Sequence, residues 1–373
     1  MDLDTLLWEA VDRGASDLHL RAGSPPMLRV DGEIEPVEDE PALTPADTRA
    51  VAKEILEDHQ VNFEAMREID VGYAVRELGR FRVNVFTNSG QIGIVLRIMP
   101  PEPLGLAELN LPEVLSNVAE ANRGLVLVTG VTGSGKSTTL AAMIDHINRN
   151  RCRHIITIED PIEYVHVDRD SLVTQRQLGL DTNSFADALR AALRQDPDVI
   201  LIGEMRDRET IDAAVLAAET GHLVFSTLHT VDAPETLNRI LATYPPYQQE
   251  QVRTQLADVM RAVVSQRLLN RINGEGLVPA VEVLINSKFV SECIRDATRT
   301  SRIREAMADG GNRYGMQTFD QSILSLCQRE LISEEVAIAA ATVPSDLKLQ
   351  LRGIVSGIDP GRGTQGAGPS RTG

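Results

Sequence analysis

The sequence contains few aromatic and cysteine residues. Phe, Trp and Tyr make up 3% of the 373 residues, so a folded core has to rest on Leu, Ile, Val, Ala and Met. The cysteines are Cys152, Cys293 and Cys327, far apart in the chain. A sparse, odd number of cysteines argues against a disulfide framework and fits a reducing compartment. Because there is no C-x-x-C pair, a four-cysteine zinc site is excluded.

Long apolar runs and positive net charge are also lacking. No stretch approaches the roughly 18 apolar residues that a membrane span needs. The start of the chain carries Asp2, Asp4 and Glu9 where a signal peptide has basic residues. Lysine and arginine number 37 against 54 acids, a net charge of −17, which repels nucleic acid and anionic lipid. We therefore expect a cytoplasmic protein with no direct membrane span and no nucleic-acid partner.

Residues 1–98 have the pattern of a small α+β domain. Residues 27–34 predict a hairpin with Asp31 and Gly32 in its turn. Residues 81–86 alternate apolar and polar side chains, which is typical of a strand with one wet face. Residues 44–57 open with Thr-Pro and then have helical spacing.

A proline-rich break at residues 99–105 lies within the predicted linker, residues 99–112, and we expect it to act as a hinge. Beyond it, residues 113–353 alternate short apolar runs with helical segments. Such runs separated by helices indicate an α/β domain with a mainly parallel sheet buried on both faces. The runs are residues 125–128, 155–158, 199–202 and 223–225.

The remaining segments of this second domain predict helices and one hairpin. Residues 184–195 and 252–263 carry apolar stripes at helical spacing. Asn273-Gly274 marks a late hairpin, and residues 286–351 indicate mostly helix. The Gly-rich tail, residues 354–373, has no apolar pattern and predicts disorder.

Residues 130–137, Gly-Val-Thr-Gly-Ser-Gly-Lys-Ser, match G-x-x-x-x-G-K-[ST] in full. They follow a predicted strand and precede a predicted helix, which is the context the motif requires. Glycines let backbone N–H groups turn inward around phosphates at a positive helix end. We expect ATP as the ligand, Lys136 on its β and γ phosphates and Ser137 on Mg²⁺. The residues predicted to bind the nucleotide here are Gly130, Thr132, Gly133, Ser134, Gly135, Lys136, Ser137 and Thr138. The alternative is a chance match in a Gly-rich turn.

Glu204 follows the apolar run 199–202, at the end of a strand where ligands of α/β sheets bind. An acid there can orient or deprotonate the attacking water. Considered alone, Glu204 has an equally good interpretation as a solvated acid in a loop. Next to a phosphate loop it becomes the favoured catalytic base.

Glu159, Asp160 and Glu163 follow the run 155–158. Clustered carboxylates repel one another unless a cation or hydrogen bonds relieve them. We expect Glu159 and Asp160 to approach the nucleotide and Mg²⁺, partly through water, and Glu163 to act in catalysis. The alternative is that all are simple loop acids.

His222 and His229 bracket the run 223–225. A histidine near the γ phosphate can register its loss and move a neighbouring group. We expect His222 to contact the nucleotide and His229 to act in catalysis, and we weigh this evenly against structural roles for both.

Arg80, Arg82 and Arg97 lie on predicted strands of the first domain. Alternate spacing places Arg80 and Arg82 on one face of a strand. One interpretation is that these arginines reach the γ phosphate and offset transition-state charge, as an arginine finger does. The other is a solvated strand face with flat-packed arginine side chains.

The longer segments around these motifs resemble the secretion-ATPase superfamily, which drives type II secretion and type IV pili. The resemblance rests on the phosphate loop and on residues 157–164, 195–207 and 221–230, which occur in this order and with familiar spacing. Within the superfamily the chain is most similar to the ATPases that retract pili. The match spans about residues 1–350 and includes three further segments, residues 14–20, 79–84 and 314–320.

The resemblance implies a PAS-like first domain, a RecA-like second domain and a homo-hexameric ring with ATP between the two domains of a subunit. It implies a catalytic role for Glu204, an acidic box of Glu159, Asp160 and Glu163, and a histidine box of His222 and His229. The implied activity is Mg-ATP hydrolysis that powers pilus retraction and twitching motility. The implied partners are an inner-membrane platform protein and a paralogous ATPase, at the inner face of the cytoplasmic membrane at the pilus base.

Two departures from the superfamily bear on this interpretation. Assembly ATPases carry extra N-terminal domains and a four-cysteine metal site, whose absence here favours retraction. Retraction ATPases have a late helix resembling A-I-R-N-L-I-R-E-G-K. In the matching residues 290–298, Ile294, Arg295 and an acid are kept, but the Gly-Lys end is lost. An accessory or paralogous ATP-binding subunit with weak turnover therefore stays open. A nucleic-acid translocase is a weaker rival, because the chain is acidic and has few aromatics for base stacking.

Overall fold

The computed structural model describes residues 2–352 apart from residue 31, residues 58–66, residue 77, residues 100–101 and residue 275. The predicted tail and part of the predicted linker lie outside the described residues. Two sheets, each with its own apolar core, organise the chain.

The first sheet is antiparallel throughout, in the order β3-β2-β1-β6-β5-β4. Its strands are β1 (Asp17–Arg21), β2 (Met27–Val30), β3 (Glu33–Pro36), β4 (Glu68–Val75), β5 (Gly79–Asn88) and β6 (Gln91–Ile98). The helices of this region are α1 (Leu3–Asp12) and α2 (Pro45–Glu57). Phe81, Val83 and Val85 of β5 point into the core while their neighbours are partly exposed, as the alternating pattern predicts. The α+β character of this region is confirmed, and β2 and β3 form the predicted hairpin. The PAS-like fold stays a prediction.

The second sheet has the order β13-β12-β7-β11-β10-β8-β9 and is parallel except for the pair β12–β13. Its strands are β7 (Gly124–Thr129), β8 (His154–Glu159), β9 (Leu172–Gln177), β10 (Val199–Ile202), β11 (Leu223–Leu228), β12 (Met260–Asn270) and β13 (Leu277–Ile285). Every residue of β7, β10 and β11 is buried, because helices cover both faces. The four predicted apolar runs lie in β7, β8, β10 and β11, so the mainly parallel sheet is confirmed.

Helices surround this sheet and continue to the end of the described chain. Those between the strands are α3 (Val114–Ala119), α4 (Lys136–Asn150), α5 (Phe185–Ala192), α6 (Arg208–Glu219), α7 (Ala233–Ala242) and α8 (Pro246–Val259). After β13 come α9 (Lys288–Arg295), a 3₁₀ helix (Ala297–Arg302), α10 (Ile303–Asp309), α11 (Gly311–Tyr314), α12 (Phe319–Gln328), α13 (Glu334–Ala340) and α14 (Pro344–Leu351). The predicted late helical region and the late hairpin are confirmed.

One predicted helix extends too far. The apolar stripe over residues 252–263 reads as a single helix, but α8 ends at Val259 and Val263 lies in β12. Val263 is paired with Leu127 of β7 in the sheet and is fully buried. The pairing overrides the helical spacing, because a β-branched residue fits a buried pleated surface well.

The parallel strands bring the sequence motifs together. The carboxyl ends of β7, β8, β10 and β11 all meet at one edge of the sheet, and the phosphate loop, the acidic segment, Glu204 and His229 each follow one of these strands. Among the described helices, none combines the length and apolarity needed to cross a membrane.

Candidate active site

A cavity of about 550 Å³ lies at this edge of the large sheet. Its wall includes Lys136, Glu163, Glu204 and His229 on one side and Arg82 and Arg97 of the first sheet on the other. A cavity of this size with a few convergent charged groups is the usual form of a small-molecule site. The cavity therefore lies where the resemblance places ATP, between the two parts of the chain.

The phosphate loop is shaped by glycines in conformations that other residues rarely adopt. Gly130, Gly133 and Gly135 have φ of 146°, 79° and 85°. A Cβ on Gly130 would lie 2.4 Å from Ser134 Oγ and 2.6 Å from the carbonyl oxygen of Gln266, so no side chain fits there. Ser134 Oγ is buried and has no hydrogen-bond partner among the described residues. The loop therefore offers a narrow polar cradle of the kind that phosphate oxygens fill.

Lys136 begins α4 and turns back over the loop. Its Nζ donates to the carbonyl oxygens of Gly130 at 2.9 Å and Val131 at 3.0 Å. Burial lowers the pKa of Lys136, while the nearby Glu204 and Glu163 act in the opposite direction. Lys136 thus supplies a cation inside the cradle.

Ser137 and Thr138 lie on the first turn of α4, and both line the cavity with Thr132, Gly133 and Gly135. Ser137 is exposed to the cavity, and Thr138 shares a hydrogen bond of 3.0 Å with the hydroxyl of Tyr164. Of the predicted loop residues, Gly130 and Ser134 form the cradle behind this wall.

Glu204 and His229 meet, as expected of residues that follow the neighbouring strands β10 and β11. One carboxylate oxygen of Glu204 is 3.3 Å from His229 Nε2, and the other accepts from Arg206 Nε at 2.7 Å. The side chain of Glu204 is only 18% exposed, whereas that of Arg206 is 69% exposed. The sequence analysis did not predict a role for Arg206, although residues 195–207 carry part of the resemblance to the superfamily. His229 and Arg206 thus contact one oxygen each of the carboxylate beside the cavity.

The acidic residues differ in their surroundings. Glu159 Oε1 accepts from Thr157 Oγ1 at 2.6 Å and from Gln175 Nε2 at 3.2 Å, and burial raises the pKa of its carboxyl group. Asp160 is exposed and lines the cavity. Glu163 Oε1 lies 3.8 Å from Arg82 Nη1 of the first sheet. The expected convergence of the three acids on one cavity is therefore seen.

Gln175 and His166 support the acidic segment and were missed by the motif search. The Gln175 side chain donates to Tyr164 O at 2.8 Å as well as to Glu159, and it accepts from His166 N at 2.9 Å. The imidazole of His166 lines the cavity, and burial lowers its pKa to about 4, so it is neutral at pH 7. These hydrogen bonds join Gln175 of β9 to residues 159–166, and the spacing of a sequence motif does not predict them.

The predicted arginines separate into two groups. Arg82 and Arg97 line the cavity, and Arg97 Nε donates to Asp17 Oδ1 at 2.9 Å. Arg80 does not line it, because its guanidinium lies against the backbone of Gly72 on the neighbouring strand β4. Burial lowers the pKa of Arg80 despite the opposing effect of Glu159 and Asp181. Arg80 therefore lies outside the cavity wall in this structure, and its contact with the γ phosphate stays a prediction.

The structure does not bring His222 to the cavity. His222 precedes β11, at the opposite end of that strand from His229, and its Nδ1 lies 2.9 Å from the carbonyl oxygen of Ala217. A strand of this length spans roughly 20 Å. This corrects the expectation that His222 contacts the nucleotide of its own chain, because flanking a strand does not place both residues at its functional end.

Comparisons with known proteins show which family the chain belongs to. The family model described as Type II/IV secretion system protein matches residues 1–334. The protein named type IV pilus retractation ATPase PilT of Pseudomonas aeruginosa is 45% identical over 347 residues, covering 93% of this chain and 100% of that protein. The type IV pilus ATPase PilU of the same organism is 42% identical, covering 94% and 92%.

Solved structures give the same result. The crystal structure of the pilus retraction motor PilT with bound ADP superposes with a TM-score of 0.85 at 46% identity, covering 93% of this chain and 99% of that one. The ATPase DotB of Legionella pneumophila gives a TM-score of 0.77 at 28% identity over 94% and 95% of the two chains. Because the family model and a relative 45% identical each span most of the sequence, the chain belongs to the type II/IV secretion system protein family.

Proposed function

We propose that the protein is a Mg-ATP-hydrolysing motor that powers the retraction of type IV pili and hence twitching motility. The observation that carries this proposal is the joint placement of the phosphate loop, Lys136 and the Glu204–His229 pair at one cavity, opposite Arg82 and Arg97 of the other sheet. A similar protein, PilT, is named a pilus retraction ATPase, and its solved structure contains ADP.

The residues present fit Mg-ATP. The cradle closed by Gly130 and the buried hydroxyl of Ser134 suit phosphate oxygens. Ser137 would hold Mg²⁺ directly, and Glu159 and Asp160 through water, since all three line the same cavity. When bound, Mg²⁺ supplies positive charge at the transferring phosphate.

Hydrolysis follows from the arrangement of this chain's own groups. Glu204 orients the attacking water and accepts its proton, while His229 and Arg206 keep the carboxylate in place. Lys136 and the arginines of the first sheet stabilise the charge that develops on the phosphoryl oxygens. Removal of any one of these groups is expected to cost roughly 100-fold or more in turnover.

Mechanical work would come from closure of the first domain over the second. ATP bridges the loop and the arginines Arg82 and Arg97, and loss of phosphate releases them. The predicted linker, residues 99–112, would act as the hinge, and its residues 100–101 lie outside the described residues. In a homo-hexamer each closure moves a neighbouring subunit, and the ring transmits this motion to a membrane platform protein at the cytoplasmic face of the pilus base. A paralogous ATPase is a further partner of this ring.

The test is Mg-ATP hydrolysis per subunit measured against protein concentration, with Glu204→Gln as the active-site variant. Glu209→Gln is a matched control, because Glu209 lies nearby in the first turn of α6 and pairs on the surface with Arg190. We expect turnover that climbs as rings assemble, disappears in Glu204→Gln and persists in Glu209→Gln. The same variants, introduced into a piliated host lacking its own retraction ATPase, should restore or fail to restore twitching in parallel.

A second candidate function is an accessory ATPase with weak turnover. It is favoured by the late helix, where α9 ends at Arg295 and gives way to a 3₁₀ helix, Ala297–Arg302. Negligible hydrolysis by both the natural protein and Glu204→Gln, together with measurable ATP binding, would favour the accessory role and contradict the motor.

A further inference from the structure

Residues 229–232 join β11 to α7 and are called the histidine loop below. His229, its first residue, lies against the carboxylate of Glu204. A second cavity, of about 390 Å³, borders this loop and is lined by Glu204, Leu228, His229 and Thr230. Packing on that side therefore leaves the loop room to move, so its position has to be fixed from elsewhere.

Glu282 holds the far end of the loop from β13. Its side chain is buried, with the residue only 4% exposed, and its Oε1 accepts from the backbone N–H of Ala233 at 2.9 Å. Ala233 is the first residue of α7, and the N–H groups of a first helical turn have no partner within the helix and need an oxygen acceptor. The charged groups that face Glu282 are Asp232, Arg304 and Arg267.

Asp232 ends the loop and is tied down through both carboxylate oxygens. Oδ1 accepts from Glu235 N at 2.8 Å and so caps α7, while Oδ2 accepts from Arg304 Nη2 of α10. The side chain of Asp232 is 12% exposed and that of Arg304 is 54% exposed, so the ion pair joins a buried carboxylate to a cation at the surface. The Thr236 hydroxyl adds bonds of 2.7 Å to the carbonyl oxygen of Asp232 and to the hydroxyl of Thr230.

We infer that Glu282 and the Asp232–Arg304 ion pair form an anchor that fixes the histidine loop, and that Arg304 and Glu282 are thereby positioning residues for hydrolysis. The inference rests on the proposed catalytic role of Glu204. If the loop shifts, His229 leaves the carboxylate of Glu204, and a displacement of about 1 Å is enough to slow a reaction by orders of magnitude. The anchor also joins α10, in the late helical region, to the catalytic edge of the sheet.

The ion pair has to be separated from the helix cap, because Asp232 takes part in both. Asp232→Asn keeps an oxygen that accepts from Glu235 N but removes the charge that faces Arg304. Arg304→Gln removes the cation and leaves the cap untouched. Arg302→Gln is the matched control, since Arg302 lies two residues away, is about as exposed as Arg304, and contacts Glu305 and the ring of Phe289 instead of Asp232.

The experiment uses the full chain at concentrations where turnover per subunit is constant. We expect Asp232→Asn and Arg304→Gln each to lower kcat by about tenfold, with Tm and the Kd for a fluorescent ATP analogue unchanged. The double variant should be no slower than the slower single, because the two residues act as one unit. Arg302→Gln should match the natural protein.

Glu282 gives an independent readout. Glu282→Gln keeps an acceptor for Ala233 N and should retain kcat, whereas Glu282→Leu removes the acceptor and should lose it. Three outcomes would overturn the anchor. The single variants could have the same kcat as Arg302→Gln, the double variant could multiply the two losses, or Tm could fall while kcat stays intact. The proposed role of Glu204 is tested by a separate variant, Glu204→Gln. Turnover that persists in that variant would refute the role of Glu204 and not the anchor.

Discussion

At the scale of single residues, Gly130 shows how closely the phosphate loop is packed. Its backbone has φ of 146°, and a Cβ there would meet Ser134 Oγ at 2.4 Å and the carbonyl oxygen of Gln266 at 2.6 Å. Gly133 also has a positive φ, of 79°, but a Cβ on it would meet nothing within 4 Å. A side chain at either glycine would strain the backbone, but only a side chain at Gly130 would also clash with its neighbours. Comparing the two positions therefore separates the energy of the strained backbone from the energy of the clash.

We predict that Gly130→Ala lowers the affinity for ATP far more than Gly133→Ala. Both changes carry the strain of a left-handed conformation, about 1 kcal/mol. Only Gly130→Ala also displaces Ser134 and the backbone near Gln266, and more than tenfold weaker binding is expected. Titration with a fluorescent ATP analogue measures the difference, and equal affinities in the two variants would contradict the packing argument.

The site residues that sequence motifs find are those at the ends of strands. Glu204 and His229 follow parallel strands whose carboxyl ends lie at one edge of the sheet, so the apolar runs place both residues at that edge. Their meeting also needs the strand order, in which β10 pairs with β11 whereas β7 and β8 are not neighbours. Gln175 and Arg206 were missed because their roles depend on side-chain hydrogen bonds to Glu159 and Glu204. The contact of Gln175 depends on the register between β8 and β9, and the contact of Arg206 depends on the conformation of the loop after β10, neither of which a local pattern provides.

At the scale of elements, the sequence predicts a strand or helix correctly where its pattern is typical of one kind of element. Short, fully apolar runs bounded by helices predict β7, β8, β10 and β11, because their length suits a strand and this composition is typical of parallel strands covered on both faces. β9 is an edge strand with half-exposed residues, so it carries no apolar run and was missed. The start of β12 was read as helix because its apolar spacing continues that of α8.

The contact between β13 and α7 predicts a pH dependence of stability. Burial raises the pKa of Glu282 from its usual value of 4.5 to about 7, with Asp232 acting in the same direction. The folded protein keeps this proton up to about pH 7, whereas the unfolded chain releases it near pH 4.5. The folded state thus binds more protons between these values, and the contribution of Glu282 to stability falls as pH rises through this window.

We expect Glu282→Gln to remove this fall. The free energy of unfolding of the variant, relative to the natural protein, should rise by up to about 3 kcal/mol between pH 4.5 and pH 7 and then stay level. Urea denaturation followed by circular dichroism at several pH values measures it. Glu305→Gln, at a largely exposed position, serves as the control and should leave the pH dependence unchanged. Parallel curves for Glu282→Gln and the natural protein would contradict the assignment.

At the scale of the whole molecule, the cavity is shared between the two sheets. Arg82 and Arg97 come from the first sheet, and the ion pair between Arg82 and Glu163 connects the two at 3.8 Å. Both partners are about one-third exposed, so this contact is weak and is expected to break and reform easily. We expect a ligand with several negative charges to attract these arginines more strongly than Glu163 alone, and this difference would favour closure on ATP.

We predict that ATP shortens the distance between the two domains. Cys152 is exposed beyond the end of α4, and Ser89→Cys places a second label at the exposed turn between β5 and β6. With Cys327→Ser, and labelled chains diluted into an excess of unlabelled chains, electron spin resonance should show a shift of several ångströms on nucleotide binding. The control is the distance between labels at Tyr247→Cys and Cys152. Both positions lie within the second domain, so this distance should stay constant. Equal Ser89–Cys152 distances with and without ATP would mean that hydrolysis is not coupled to closure, because the arginines would then face the phosphates at every stage of the cycle.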